Sequence, residues 1–363
     1  MVYKKMIYDN IIKNEKIWSE LKAMVENEKL PHAMLFHGPD GTGKEAHAIA
    51  LAAHLNNYQN KTDFAKIMNF QHPNINLIIP LPREKAVNKN TDSLKSLSEK
   101  SLEQLINMKK EKMINPYQNI FFEKASTILI NSIRDIKKDL HFNIDNGSKV
   151  HLIFNAEKLC YPKNESGNSL LKILEEPPKN TFFILVTNNK EKLLDTIVSR
   201  CCDFYFHKLD KSTIISYFQN ENTNFDLNLL YKITDGSIKQ IFNIIETDID
   251  IPSYIQDIKN LISKLMQDKD FESNTKKMEQ LFRSKKLHFK IFIKILIIIL
   301  NDLEKIKNKH YDCLILSDVK KTKFADYNKC IALVEKTYQE LNRNANASMS
   351  IFSMMIKMKN ILR

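Results

Sequence analysis

The segment HGPDGTGKEA, His37 to Ala46, holds the densest chemistry in the 363-residue chain. Glycines at 38, 41 and 43 let backbone amides turn inward around an anion, and the helix expected to follow adds positive dipole. Lys44 supplies a point charge suited to the β- and γ-phosphates of a nucleotide. The pattern G-x-x-x-x-G-K-[ST] is met from Gly38 to Lys44 and then fails: Glu45 stands where a hydroxyl would hold Mg²⁺. A like charge about 4 Å from a phosphate costs roughly 4 kcal/mol at an effective dielectric near 20. The loop reads as a degenerate nucleotide site, compatible with bound ATP or ADP and unsuited to efficient hydrolysis.

A hydrolytic phosphate loop also needs an acid at the end of a neighbouring strand to hold Mg²⁺ through water, and a second acid to orient the attacking water. The strand candidate here is KVHLIFNAEKL, and it ends in Phe154 and Asn155. Glu157 falls too late for either role and reads as a solvated residue at a helix entry. Two independent metal-related positions are therefore altered. A third signal is LLDTIVSRC, Leu193 to Cys201, ahead of the short strand DFYFH. Arg200 there reads either as a capping or salt-bridging arginine or as one that reaches a neighbouring subunit's γ-phosphate.

The elements that would position these groups follow from the apolar pattern. Apolar runs at Ala33 to Phe36, Leu77 to Ile79, Val150 to Phe154 and Phe182 to Val186 read as buried strands alternating with helices, the mark of an α/β sheet with parallel strands. Glu45 to Asn56 reads as the helix after the loop. Ser126 to Leu140 reads as a helix, and Asn168 to Leu174 as another, stopped by EEPP because Pro177 and Pro178 cannot continue it. The charged stretch from Arg83 to about residue 118 reads as an insertion. Residues 208–252 read as a small helical unit and 253–363 as helical and lysine-rich, so the expected division is 1–207, 208–252 and 253–363.

Composition bounds the alternatives. With 43% hydrophobic residues the chain can bury a sizeable core, and only 6 Gly and 10 Pro argue for long helices over a β-sandwich. Five scattered cysteines with no CxxC pair fit a reduced cytoplasmic protein. IFIKILIIIL, Ile291 to Leu300, is too short to span a bilayer and reads as a buried helix, so no membrane association is expected. The net charge of +12, from 55 basic and 43 acidic residues, is compatible with nucleic-acid contact.

Three stretches together resemble the clamp-loader branch of the AAA+ ATPases: LPHAMLFHGPDGTGK, NSLLKILEEPPKNTFFILVTNN and LLDTIVSRC. LNRNANASMSIFSMMIKM is similar to the tail of that family's C-terminal collar domain. Among the subunit families of the branch, the pattern is most similar to delta-prime of bacterial DNA polymerase III, which keeps an arginine finger while its own nucleotide site has decayed. The resemblance implies an AAA+ P-loop domain, a small helical lid and an all-α collar. It implies Arg200 as the finger, acting in trans on an adjacent ATP site. It implies partnership with gamma/tau and delta subunits, indirectly with a sliding clamp, and with primed DNA during replication. Thr187 and Asn188 fall at the family's polar sensor position. The lid's GSxR pattern appears here as Gly236, Ser237, Ile238 and Lys239, and lysine lacks arginine's planar fork. INSIRDIKK resembles the family's DNA-facing segment, with Arg134 at the usual arginine and Lys137 on the same helical face. The four-cysteine zinc module of many relatives has no counterpart in AAHLNNYQNKTDFAKIMNFQHPNI, where His54 and His72 alone make no structural zinc site, so no zinc is expected. Two other readings compete: a hydrolytic gamma/tau-type subunit, against which Glu45, Phe154 and Asn155 weigh, and an AAA+-related nucleotide-switch scaffold, against which the EEPP and SRC stretches weigh.

Overall fold

The computed structural model describes residues 11–56, 66–67, 70–86, 88, 91–142, 147–219, 225–247, 249–322 and 325–363. They form two compact units. One holds the described residues up to 219 together with Gly236–Phe242, and the other holds 225–235 and 243–363.

The first unit is built on a five-stranded sheet: β1 (Ala33–His37), β2 (Ile75–Ile78), β3 (Lys149–Phe154), β4 (Thr181–Thr187) and β5 (Cys202–Tyr205), in spatial order β2-β3-β4-β1-β5. Every pairing is parallel. Parallel strands need long crossovers, and helices supply them. Helix α1 (Glu15–Glu26) precedes β1; α2 (Lys44–Leu55), α3 (Glu99–Ile114), α4 (Ile130–Asp139), α5 (Glu165–Glu175) and the single turn α6 (Asp195–Val198) lie between strands; and α7 (Lys211–Phe218) follows β5. Successive strand residues point to opposite faces. Leu35, Ile153, Phe183 and Leu185 therefore join Ile133, Ile136, Leu170 and Ile173 of α4 and α5 in one buried cluster. The opposite face receives α2, whose alanines 46, 48, 50, 52 and 53 are all buried and let it lie close on the strands. The register β1 to β4 pairs His37 with Thr187, which sets the glycine loop beside Thr187.

Three boundaries differ from expectation. The second strand runs Ile75–Ile78 rather than centring on residues 77–79. The helix expected over 126–140 begins only at Ile130. Residues 127 and 128 are held instead by the neighbouring turn: Ile128 N donates to Lys158 O at 3.0 Å, and Ser166 Oγ donates to Ile128 O at 2.8 Å. The helix before EEPP is longer than its apolar stripe, Glu165–Glu175, and ends ahead of Pro177 as expected. Within the expected insertion lies α3, capped by Ser98, whose Oγ accepts from Ser101 N at 3.3 Å.

The second unit is all helical: α8 (Leu227–Thr234), the end of α9 (Ile238–Glu246), α10 (Ile251–Met266), α11 (Phe271–Ser284), α12 (Lys286–Lys307), α13 (Tyr327–Asn342) and α14 (Ala347–Leu362). The IFIKILIIIL stretch forms the middle of α12 and is buried along most of its length. Asp302, 2% exposed, accepts from the backbone N–H groups of Leu314, Ile315 and Leu316 and so ties the following loop to α12. Among the described residues no helix is long and apolar enough to cross a membrane.

Candidate functional site

The phosphate loop leaves the end of β1 and enters α2 at Gly43, whose φ of 84° only glycine adopts without strain. Two further glycines are required by close approach. A side chain at Gly38 would meet Phe206 O at 2.4 Å, and one at Gly41 would meet Ser237 Oγ at 1.8 Å. The Gly41 carbonyl accepts from Ile238 N at 3.0 Å, so Gly236–Phe242 closes directly over the loop. Lys44 is 4% exposed, and its Nζ donates to Gly38 O at 2.9 Å and Pro39 O at 2.5 Å. Burial pulls this ammonium down to about 8, against the opposing charges of Asp40 and Glu45.

Asp40 gathers the expected sensor groups. Its carboxylate accepts from Lys239 Nζ at 3.0 Å and from Asn188 Nδ2 at 3.3 Å. Burial works against its charge, but Lys239, Lys44 and the Asn188 hydrogen bond outweigh that and hold the carboxyl below its ordinary range. Thr187 Oγ1 donates to Glu157 Oε2 at 2.6 Å. This corrects the reading of Glu157 as a solvated helix-entry residue. Asn155 adopts a left-handed φ of 53°, which turns the chain back at the end of β3 and brings the half-buried Glu157 beside the end of β4. A cavity of about 270 Å³ is lined by Lys44, Glu45, Tyr117, Asn155, Thr187 and Lys239, among others. The structure thus brings Gly41, Gly43, Lys44, Glu45, Thr187 and Lys239 to one place.

Glu45 has a partner that sequence reasoning did not find. Lys112, on α3, places its Nζ 2.5 Å from Glu45 Oε2 and is itself 2% exposed. The same ammonium donates to Pro116 O at 3.1 Å and Gln118 O at 2.7 Å, and it lies 5.5 Å from the ring centroid of Phe154. The segment after α3 then forms one side of the cavity. Tyr117 stacks on Phe242 with ring centroids 5.4 Å apart, and its hydroxyl accepts from Ile12 N at 2.5 Å. The one signal of this in the sequence was the unexplained length of the insertion. A magnesium ion, which such a loop would ordinarily hold, does not fit these residues: Phe154 offers no oxygen, and the Glu45 carboxylate is engaged by an ammonium.

Arg200 lies just beyond α6 with its side chain about one third exposed. Its Nη2 meets Glu175 Oε1 at 2.6 Å, and its Nη1 donates to Thr196 O at 2.9 Å. It does not line the loop cavity. Glu175 is the first acid of EEPP, so the two motifs quoted from the sequence meet at this surface.

Residues 13–210, more than half of the chain, match the family described as DNA polymerase III, delta subunit. The chain belongs to that family, a clamp-loader family of the AAA+ class. Curated relatives agree with this placement. The chain is 24% identical over 269 residues to DNA polymerase III subunit tau of Bacillus subtilis, covering 72% of this chain and 41% of that one. It is 26% identical over 197 residues to subunit delta' of the same organism, covering 52% and 46%. It is 31% identical over 154 residues to subunit gamma of Buchnera aphidicola subsp. Schizaphis graminum, covering 40% and 42%. The chain thus spans about half the length or less of these relatives. Among solved structures, a DNA polymerase III gamma subunit-related protein from Thermotoga maritima is similar at a TM-score of 0.42 and 13% identity, covering 94% of this chain and 99% of that one.

Two other parts of this delta-subunit family member bear on the site. Arg134 on α4 is half-buried, and its Nη1 donates to Asn131 Oδ1 at 2.9 Å. Asn131 in turn donates to the carbonyls of Asn88 and Thr91, and Asp135 accepts from Ser93 N at 2.8 Å, so part of this helix is covered by the start of the insertion. Lys137 is half-buried on the same helix. Among the described residues no cluster of three or more His, Cys, Asp or Glu side chains could hold a metal. Residues 57–65 and 68–69, within the stretch where the zinc module has no counterpart, lie outside the described residues.

His47, fully buried under the loop, fixes the chain that precedes α1. Its Nδ1 donates to Gly43 O at 2.8 Å, which leaves Nε2 to accept from Asn14 N at 3.0 Å. Burial lowers this imidazole from 6.5 to about 4, the Gly43 bond opposing. The neutral ring therefore contributes stability that is fully present above pH 6.5 and is lost as the pH falls through about 4. A depression of this size is worth about 3 kcal/mol. His47→Gln should remove that pH dependence: between pH 7 and pH 4.5, urea unfolding of the parent should lose about 2–3 kcal/mol more than the variant. Equal losses would show that His47 does not link the loop to the acid response.

Proposed function

We propose that this chain is a delta-prime-like clamp-loader subunit that helps place a sliding clamp on primed DNA during replication. In this reading Arg200 completes the ATP site of an adjacent gamma/tau-type subunit and stabilises charge developing on the γ-phosphate. Its own loop is non-hydrolytic. Residues 208–252 serve as the lid and 253–363 as the collar that joins it to gamma/tau and delta subunits. The observation that carries the reading is the pairing, within one chain of this family, of an accessible Arg200 with a phosphate loop whose two metal-related positions are Glu45 and Phe154. Arg200's internal partner, Glu175, is itself about half exposed. Such an exposed pair is weak enough to exchange for a phosphate.

The gamma and tau names among the relatives favour a second reading, a hydrolytic subunit of the same assembly. Turnover by the purified, isolated chain separates the two. The expected result is none measurable, and turnover on the order of 1 s⁻¹, the low end of ordinary enzymes, would favour the hydrolytic reading instead. Mixing the chain with the other loader subunits of its organism should give a stable complex with DNA-dependent ATPase. Failure to assemble would sink the subunit assignment.

The helix α4 is proposed to face the DNA backbone through Arg134 and Lys137. Contacts of this kind read phosphates rather than bases. Within the assembled loader, Arg134→Ala should weaken primed-DNA binding alike for every sequence and flatten its salt dependence by roughly one charge. Affinity and salt slope at parent values would make this helix a structural element bound to Asn88, Thr91 and Ser93.

A further inference from the structure

The group at the metal position is a resident of the chain. Lys112 reaches from α3 to the first turn of α2, and its ammonium lies 2.5 Å from Glu45 Oε2 and 5.5 Å from the ring centroid of Phe154, the residues at the two positions where a hydrolytic loop keeps its cation ligands. Both positions suit an ammonium, and at Phe154 a divalent ion finds no ligand atom. A carboxylate gives Lys112 a full counter-charge, and an aromatic face attracts a cation by its quadrupole. Pro116 O and Gln118 O accept from the same Nζ, so all three of its protons have acceptors. A magnesium ion would have to displace a buried ammonium from three oxygens and then find no oxygen at Phe154.

The pairing also removes the obstacle that Glu45 presents to a phosphate. A lone carboxylate in the first turn of α2 would repel the ligand. Paired with Lys112 it is electrically neutral, and the loop keeps its remaining equipment: the left-handed Gly41 and Gly43, Lys44, and a cavity of about 270 Å³ beside them. Lys44 donates at present to loop carbonyls, which a phosphate oxygen can replace. Tyr117 and Pro116, which line that cavity, belong to the segment that Lys112 anchors, so the ammonium also holds one wall of the site.

We propose that the Lys112 ammonium replaces the divalent cation of this phosphate loop, so that the loop takes a nucleoside polyphosphate without metal. The proposal rests on the reading of the loop as non-hydrolytic and goes further in naming what holds the metal's place. Calorimetric titration of the full chain with ADP, once in Mg²⁺ and once in EDTA, is the test. Affinities in the two buffers should agree within about twofold, because no metal contact exists to be lost. Lys112→Met should weaken ADP binding by about tenfold or more, since Glu45 is then bare beside the phosphates. Glu45→Thr combined with Lys112→Met leaves no unpaired charge and restores a hydroxyl, so its ADP binding should become stronger in Mg²⁺ than in EDTA. Circular dichroism and the melting temperature of each variant separate lost binding from lost folding. The proposal is overturned if the parent binds at least tenfold more tightly with Mg²⁺, or binds ADP in neither buffer. It is also overturned if the folded double variant shows no gain from Mg²⁺, which would assign the loss of the metal to Phe154 alone. None of these results touches assembly with other subunits or the role of Arg200, whereas ATP turnover by the parent would strike the non-hydrolytic reading itself.

Discussion

Arg200→Ala is expected to lower the ATPase of the assembled loader while leaving this chain folded and able to join it. The fold has little at stake at this residue. Arg200 holds Glu175 through a half-exposed ion pair and caps Thr196 O, and exposed pairs of this kind are typically worth ~1 kcal/mol or less. A trans arginine, by contrast, is worth about 10³-fold or more in some phosphate-loop enzymes. The drop for the whole complex should be smaller, because other subunits keep their own sites. Arg200→Lys should restore little of the activity, since an ammonium cannot make the planar fork. Glu175→Ala, which frees the guanidinium without removing it, should leave activity near the parent level. Steady-state ATPase of complexes rebuilt with each variant is the measurement. Parent-level activity with Arg200→Ala would make this a plain surface arginine.

The second large effect is expected at Lys112, and it is on stability. Lys112→Met strands the Glu45 carboxylate and leaves Pro116 O and Gln118 O without their donor. Removing one partner of a buried ion pair typically costs about 3–5 kcal/mol. Glu45 retains some exposure, with 24% of its side chain accessible, so the lower end of that range is expected. Glu45→Gln together with Lys112→Met replaces the pair by groups that need no counter-charge, and should recover much of the loss. Urea unfolding of the two single variants and the double variant gives the coupling directly. A loss under about 1 kcal/mol in Lys112→Met, with no recovery in the double variant, would place the pair among ordinary surface contacts.

The residues that define the fold were legible in the sequence because the signals are local. Short apolar runs ahead of a glycine loop, alternating with helical stripes, dictate parallel strands with crossover helices, and β1, β3 and β4 fall where those runs lie. Pro177 stops α5 for a covalent reason that no tertiary contact can override. The glycine loop is legible for the same reason: its positive φ angles at 38, 41 and 43 are a property of the residue type. The identity of residue 45 is equally local: a carboxylate stands where the motif has a hydroxyl.

What Glu45 pairs with was decided only by the tertiary structure. Lys112 lies 67 residues from Glu45 in the chain, in a stretch whose composition reads as any charged surface helix. Its helix has three buried side chains among the described residues, Ser101, Leu105 and Lys112, and only the folded sheet decides that the lysine among them meets a carboxylate. The late start of α4 has a similar origin. Hydrogen bonds to Lys158 O and from Ser166 capture residues 127 and 128 before helical bonding can, and those partners are about 30 to 40 positions away. Glu157 was misread because a single left-handed residue, Asn155, re-aims everything after it, and asparagine enters that conformation only where the surroundings call for it. Periodicity and residue type thus settle backbone class and which chemical groups stand at each motif position, since both act over a few residues. Which distant charge neutralises which is set by long-range burial, where an unpaired ion costs several kcal/mol and the fold must bring a partner to it.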